Sequence, residues 1–190
     1  MRQTYSFDDV LLVPKYSNIR SRSEVSLETK LGKFEFSLPV ISSPMDTITE
    51  SAMATAINKA GGLGIIHRYN SIEDQSAEVY SAYTSGAVSV GAAIGMTGDY
   101  LERATAVVDC GANILCVDVA HGHHAVMEEC IGSLKDKFAD AGVHIMVGNV
   151  ATLQAFDALA SMGADSVRVG IGGGSICSTR IVTGHGVPTL

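Results

Sequence analysis

A glycine-rich segment followed by a cysteine carries the clearest chemical signal in the chain. Residues 170–174 contain four glycines, and Cys177 stands three positions further on. Because glycine has no side chain, such a loop lets backbone N–H and C=O groups come close to a phosphate or a monovalent cation. A thiolate held beside that loop is suited to covalent attack on a nucleotide. Two plainer interpretations stay open at this point: a loop that is only a turn, and a cysteine that is only a small buried side chain.

The segment matches neither of the common phosphate-binding motifs. The dinucleotide pattern G-x-G-x-x-G, started at Gly170, needs a glycine where Ser175 stands. A Walker A loop needs Gly-Lys-Ser/Thr, which does not follow here. The chemical interpretation therefore depends on what the rest of the chain places beside Cys177.

Composition and charge limit the classes of protein to which the chain can belong. With 190 residues, 46% hydrophobic and 17% charged, the chain can form one well-buried domain but not two large ones. The net charge of −7 argues against a nucleic-acid partner, which would need a basic face. No apolar run approaches the ~20 residues of a membrane span, and the polar start is unlike a signal peptide. The four cysteines have no C-x-x-C spacing, so we expect reduced thiols in a cytoplasmic protein.

A strand followed by a helix repeats about every 25 residues along the chain. Apolar runs typical of buried parallel strands are Leu38–Ser42, Leu63–Ile66, Ala87–Ile94, Ile114–Val119, Val143–Val147 and Ser166–Gly170. The helical patterns between them are Glu50–Ala60, Ile72–Tyr83, Asp99–Asp109, Ala125–Ala139 and Leu153–Met162. Glycines recur where each helix should end, at Gly61, Gly86, Gly111, Gly142 and Gly163.

Six strands that alternate with five helices predict either a doubly wound sheet or most of a TIM-type (β/α)8 barrel. Even spacing favours the barrel, formed by a single catalytic domain over residues 1–190. About six β/α units are present, whereas eight close a barrel, typically in ~250 residues. We therefore expect an incomplete barrel with exposed edge strands near Leu38–Ser42 and Ser166–Gly170. Such a chain is interpreted as a fragment, a partial gene product or half of an assembly.

Polar residues gather where the predicted strands end, the side of a barrel on which chemistry takes place. They are Ser43 to Asp46, His67 with Arg68, Gly95 to Asp99, Asp118 with His121 to His124, Asn149 and the cysteine loop. Asp118 ends an apolar run, so we expect it to be partly buried beside a partner. Asp46 is equally suited to capping a helix, and Asn149 to a left-handed turn. The clustered histidines lack a matching Cys or carboxylate set, which argues against a metal site, and His144 is expected at a strand start, away from the active face.

Together these residues resemble the IMP dehydrogenase/GMP reductase family. The motifs that carry the resemblance are Phe7–Pro14, Ser43–Thr47, Gly61–His67, Val90–Ala93, Asp118–His123, Gly148–Thr152 and Arg168–Pro188. They stand in family order over nearly the whole chain, so their combination is far more specific than any one of them.

The resemblance implies a role for each residue of the predicted site. Cys177 is implied as the nucleophile that attacks C2 of a purine nucleoside monophosphate, with Thr179 beside it assisting proton movement. By the same resemblance, Ser43, Met45, Arg168 and Ser175 bind the nucleotide, Asp118, Asn149 and Gly170 lie at the nicotinamide cofactor, and the carbonyls of Gly172, Gly174 and Cys177 bind K⁺. It also implies NAD as cofactor, or NADP for a reductase, and a homotetramer in the cytoplasm without nucleic-acid or membrane partners.

The resemblance leaves the activity open between a dehydrogenase, a reductase and a non-catalytic nucleotide-binding fragment. The dehydrogenase oxidises IMP to XMP with NAD⁺, and the reductase converts GMP to IMP with NADPH. Gly95–Asp99, His121–His123 and Arg180–Val182 are similar to bacterial dehydrogenases, whereas Thr183-Gly184 is similar to reductases. The Bateman (CBS-pair) insert usual in dehydrogenases is absent near Tyr80–Gly86. We favour NAD-dependent oxidation of IMP in guanine nucleotide biosynthesis, and expect weak or no turnover from residues 1–190 alone.

Overall fold

An extended arm and a small hairpin precede the main sheet. The structure, a computed structural model, describes residues 3–190. The arm contains two single-turn 3₁₀ helices, Phe7–Asp9 and Arg22–Glu24. Strands β1 (Thr29–Leu31) and β2 (Phe34–Phe36) then pair in an antiparallel hairpin. The sequence pattern does not predict this hairpin, because strands of three residues are too short to show a clear alternation.

The next six strands form one parallel sheet in chain order. They are β3 (Ile41–Ser42), β4 (Leu63–Ile66), β5 (Val90–Ile94), β6 (Ile114–Asp118), β7 (His144–Val150) and β8 (Ser166–Val169). The helices are α1 (Ser51–Lys59), α2 (Ile72–Thr84), α3 (Tyr100–Asp109), α4 (Ala125–Lys137), α5 (Leu153–Ser161) and, after β8, the short α6 (Thr179–Thr183). This half-barrel confirms the predicted incomplete TIM-type barrel with edges at β3 and β8. The predicted bounds differ most at β3, which excludes residues 38–40, at β5, which excludes residues 87–89, and at β7, which continues to Val150.

The central strands pack apolar side chains on both faces, which explains their continuous apolar runs. On the outer face, strand residues such as Ile94, Leu115 and Val147 pack against the helices. The inner face carries a second cluster, formed by Leu63, Ile65, Ala93, Ile114, Cys116 and Met146 together with Phe36 of the hairpin. The hairpin therefore covers part of the inner face, near the strands' amino ends.

The predicted glycine positions after the helices are confirmed by the backbone. Gly61, Gly86, Gly111, Gly142 and Gly163 all have a positive φ, which favours glycine over every other residue. At Gly111 a Cβ would also lie 2.7 Å from the Cγ of Tyr83. Four of these glycines stand directly after a helix C-cap, whereas Gly142 stands four residues after Phe138, the C-cap of α4, in the turn before β7.

A buried arginine joins two loops at the carboxyl end of the sheet. Arg103 in α3 donates hydrogen bonds to the carboxylate of Asp99, to Oε1 of Gln75 and to the carbonyls of Asn70 and Ser71. Asn70 and Ser71 follow β4, whereas Asp99 follows β5. Arg103 thus fixes the relative positions of the segments that leave two neighbouring strands.

Candidate active site

An open cavity of about 750 Å³ lies at the carboxyl ends of the strands. Its lining comes from the segments after β3 and β4, from the ends of β6, β7 and β8, and from the glycine-rich loop. The predicted site residues that line it are Ser43, Met45, Asp118, Asn149, Arg168, Gly170, Gly172, Gly174, Cys177 and Thr179. Ser175 is exposed in the same loop and lies outside this lining. The structure therefore brings ten of the eleven residues together, as expected for parallel strands whose carboxyl ends meet on one side.

The glycine-rich loop folds back on itself before α6. Gly172 has a φ of +76°, and a Cβ there would lie 2.7 Å from the Cγ of Arg180. Ile171 forms an antiparallel bridge with Val187, and the N–H of Cys177 donates to the carbonyl of Gly174 at 3.1 Å. These contacts hold Cys177 at the edge of the cavity, directly before the helix.

Cys177 has the surroundings of a reactive thiol. Its Sγ lies 3.3 Å from Oγ1 of Thr179. Hydrogen bonds from the hydroxyl and the backbone N–H of Thr179 lower the pKa of Cys177. Burial opposes them to a smaller extent, and the still smaller effect of the Arg180 charge adds to the lowering. By contrast, burial raises the pKa of Cys116 to about 11 and that of Cys130 to about 12. Cys177 is therefore much closer than these two to ionising at neutral pH.

Asp118 and Arg168 form an ion pair on the inner face of the sheet. The two side chains are 19% and 26% exposed, respectively, and Nη1 of Arg168 also lies 3.5 Å from Sγ of Cys116. Gly148, on the strand between them, leaves room for the pair, because a Cβ there would lie 2.6 Å from the Cβ of Arg168. The expectation that Asp118 is partly buried beside a partner is confirmed.

Asn149 and Asp46 do not have the local roles considered for them. Among residues 3–190 only glycines have a positive φ, so the left-handed turn at Asn149 is wrong. Its Nδ2 instead donates to the carbonyl of Gly170 at 2.9 Å and joins β7 to the loop. Asp46 lies in a turn before α1, whose N-cap is Glu50, so the capping interpretation is wrong as well.

Arg68 and Tyr69 also line the cavity, although the sequence gives neither a role. Nη2 of Arg68 donates to the carbonyl of Asp118 at 3.2 Å. The signal available in the sequence was the position of Arg68 just after a buried strand. His144 lies at the other end of the sheet, where it starts β7 and its Nε2 is 2.8 Å from Oγ of Ser166, as expected for a residue away from the active face.

Comparison with known proteins identifies the family. Residues 4–190 match the family model described as the IMP dehydrogenase / GMP reductase domain. The chain therefore belongs to this family, whose members use NAD(P) and bind nucleotide substrates. Every helix within residues 3–190 is too short or too polar to span a bilayer.

Three relatives are each more than a third identical to the chain. The IMP dehydrogenase of Cryptosporidium parvum is 38% identical over 97% of this chain and 56% of that protein. The IMP dehydrogenase of Borreliella burgdorferi is 36% identical over 100% of this chain and 58% of its own length. The GMP reductase of Enterobacter sp. is 35% identical over 97% of this chain and 54% of that protein. The chain thus spans a little over half the length of these relatives.

Proposed function

We propose that this chain supplies the nucleotide-binding site and the nucleophile of an enzyme that oxidises IMP to XMP with NAD⁺. The observation that carries the proposal is the thiol of Cys177, whose pKa is lowered at the edge of the cavity. Membership of the IMP dehydrogenase/GMP reductase family supports a purine nucleotide as the occupant of that cavity.

In the proposed reaction the thiolate of Cys177 forms a bond to C2 of the purine ring. The hydrogen at C2 then leaves with its electron pair, and NAD⁺, when bound, supplies the chemistry that accepts this hydride. Water adds to C2 of the resulting thioimidate, and the C–S bond breaks to give XMP and the free thiol. IMP, NAD⁺ and water thus yield XMP, NADH and one proton. Thr179, with Oγ1 at 3.3 Å from Sγ, stabilises the thiolate and holds a proton next to it.

The side chains around the thiol fit a nucleotide and a nicotinamide ring. Ser43 and Met45 form the wall after β3, and Arg168 offers its partly exposed guanidinium beside Asp118. The Nδ2 of Asn149 is engaged by the loop, which leaves its Oδ1 to accept a hydrogen bond from a carboxamide. We assign Asp118, Asn149 and Gly170 to the cofactor side of the cavity on this basis.

The glycine-rich loop also fits K⁺, which backbone carbonyls bind well. The carbonyls of Gly172, Gly174 and Cys177 would hold the ion, and Gly172 lies in a tight part of the loop, where a Cβ would contact the side chain of Arg180. The carbonyl of Gly174 accepts one hydrogen bond from the chain and retains a second lone pair. When bound, the ion would supply positive charge that fixes the loop around the thiol.

Covalent labelling tests the proposal without requiring turnover. 6-Chloropurine riboside monophosphate is expected to add once to Cys177 with loss of HCl, and IMP is expected to slow this reaction. The matched variants are Cys177→Ser, which should abolish the adduct, and Cys110→Ser, which should leave it unchanged. An adduct on another cysteine, or none in the wild-type chain, would refute the assignment of the nucleophile.

GMP reduction is the second candidate, because the alignment with the GMP reductase runs over 191 positions, close to the 190 residues here. The alignment with the Cryptosporidium parvum IMP dehydrogenase runs over 228 positions. A reductase converts GMP, NADPH and two protons to IMP, NADP⁺ and ammonium. Calorimetric titration with each nucleotide and each cofactor separates the two activities: binding of GMP with NADPH in preference to IMP with NAD⁺ would assign the reductase.

A further inference from the structure

Arg68 is a cation in the active-site cavity that the reaction proposed above does not use. It follows β4, and its guanidinium lies against Gly95, where a Cβ would be 3.8 Å from Nη1. Its Cζ lies 5.7 Å from the ring centre of Tyr69, which also lines the cavity. Arg68, in the segment that follows β4, thus packs against the segment that follows β5.

Among the described residues, no acidic side chain neutralises the positive charge of Arg68. Within residues 3–190, the Lys and Arg side chains that form ion pairs are Lys30, Arg103, Lys135 and Arg168, and Arg68 forms none. The Asp118 carboxylate, the nearest acidic group in the cavity, is engaged by Arg168 and offers Arg68 only its backbone carbonyl. This local positive charge stands out in a chain with a net charge of −7.

The hydrogen-bonding groups of Arg68 are also largely unused. A guanidinium has five N–H donors, and in the described part of the chain only Nη2 has an acceptor. Its Nε is buried without any partner among residues 3–190. A charge with free donors in a concave site is what binding of a phosphoryl group requires, because Arg pairs with phosphate oxygens through parallel N–H···O bonds.

We propose that Arg68 binds a phosphoryl oxyanion of a nucleotide in this cavity. Which nucleotide this is rests on the proposed function: the anion is the monophosphate of the purine nucleotide or the diphosphate of the dinucleotide. Arg103 supports the site, because it hydrogen-bonds both to Asn70, two residues after Arg68, and to Asp99 in the segment that follows β5.

Calorimetric titration of the full 190-residue chain with inorganic diphosphate at low salt tests the anion site itself. Arg68→Gln is expected to weaken diphosphate binding about tenfold, the effect of losing charge-assisted hydrogen bonds. Arg68→Lys keeps the charge and should bind diphosphate about threefold more weakly than the wild type. Arg20→Gln, in the exposed arm, should bind diphosphate as tightly as the wild type. Equal diphosphate affinities in the wild type and Arg68→Gln would overturn the proposal.

Titrations with IMP and with NAD⁺ identify the source of the anion. If Arg68→Gln binds IMP about tenfold more weakly but NAD⁺ as tightly as the wild type, the anion is the monophosphate. If instead only the affinity for NAD⁺ falls, the anion is the diphosphate. If the wild type binds both and Arg68→Gln binds both equally well, the inference about Arg68 fails while the proposed function stands. If the wild type binds inorganic diphosphate through Arg68 but neither nucleotide, the proposed function fails while the anion site stands.

A measurement on the wild-type chain covers the case in which Arg68→Gln does not fold. Phenylglyoxal modifies accessible arginines, and mass spectrometry reports the rate at each site. Inorganic diphosphate is expected to slow the modification of Arg68 at least fivefold and that of Arg20 not at all. Equal slowing at both sites, or none, would count against the site.

Discussion

The surroundings of the thiols predict that Cys177 reacts faster than the buried Cys116 and Cys130. Its pKa lies below the ordinary 9.0, so at pH 8 more of this thiol is ionised than in an unperturbed cysteine. Cys116, with a pKa of about 11, and Cys130, with about 12, ionise in about one molecule in 10³ and 10⁴. The thiolate of Cys177 is thus far more populated at pH 8 than that of Cys116 or Cys130.

Part of this advantage is lost because a thiolate of lower pKa is a weaker nucleophile. With a Brønsted coefficient of about 0.4–0.5, this loss of nucleophilicity offsets at most about half of the gain in ionisation, on a logarithmic scale. A net advantage of Cys177 over Cys116 therefore remains from ionisation alone. Access adds to it, because Cys116 is fully buried whereas Cys177 is partly exposed.

Alkylation by iodoacetamide, followed at each cysteine by mass spectrometry between pH 6 and 9, measures these rates. Thr179→Val removes the hydroxyl that stabilises the thiolate, so the reaction of Cys177 should shift to higher pH. Thr84→Val, at an exposed threonine in α2, is the matched control and should leave the pH profile of Cys177 alkylation unchanged. Faster modification of Cys116 or Cys130 than of Cys177, or an unchanged pH profile in Thr179→Val, would refute the reasoning.

Three further predictions concern stability, measured by urea or thermal unfolding. Arg103→Met should lower the free energy of unfolding by about 3 kcal/mol, because it leaves buried acceptors without a donor; a loss below about 1 kcal/mol would contradict this. Gly148→Ala should lower the free energy of unfolding by about 1–3 kcal/mol, since its Cβ would lie 2.6 Å from that of Arg168. An unchanged unfolding midpoint would contradict this, because it would mean that β7 and β8 move apart without cost. Burial raises the pKa of Asp165, but a backbone N–H of β7 and Lys135 outweigh it and lower the pKa below 3.8. The stability that Asp165 contributes is therefore present above pH 3.8 and lost as the pH falls below it, and Asp165→Asn should show less acid destabilisation than the wild type between pH 4 and 2.

The order of the main strands and helices could be predicted because each leaves a local signature. β4 matches its predicted bounds, and the glycines after the helices have the positive φ that their positions imply. The hairpin of β1 and β2 could not be predicted, because its short strands are determined by Phe36 packing against residues distant in sequence. Helix α6 is equally short and depends on the fold of the preceding loop.

In the candidate site, too, local patterns predict some features, and others depend on contacts between residues distant in sequence. Cys177, Asp118 and Asn149 could be placed on one side of the sheet because they follow parallel strands. That Arg168 is the partner of Asp118 depends on the register across three strands, which no local pattern shows. The role inferred for Arg68 depends in turn on that pairing, because only an engaged Asp118 leaves Arg68 without a counter-charge.

The contact between Arg168 and the thiol of Cys116 has a consequence for the electric field in the cavity. Cys116, Ile114 and Met146 form an apolar layer directly beneath the ion pair, with Phe36 of the hairpin beneath them. Such a layer polarises far less than water does, so it screens the charges above it only weakly on that side. The field of Arg168 and Asp118 is therefore directed toward the open side of the cavity. A ligand that displaces water there would experience these charges more strongly than it would on an ordinary protein surface.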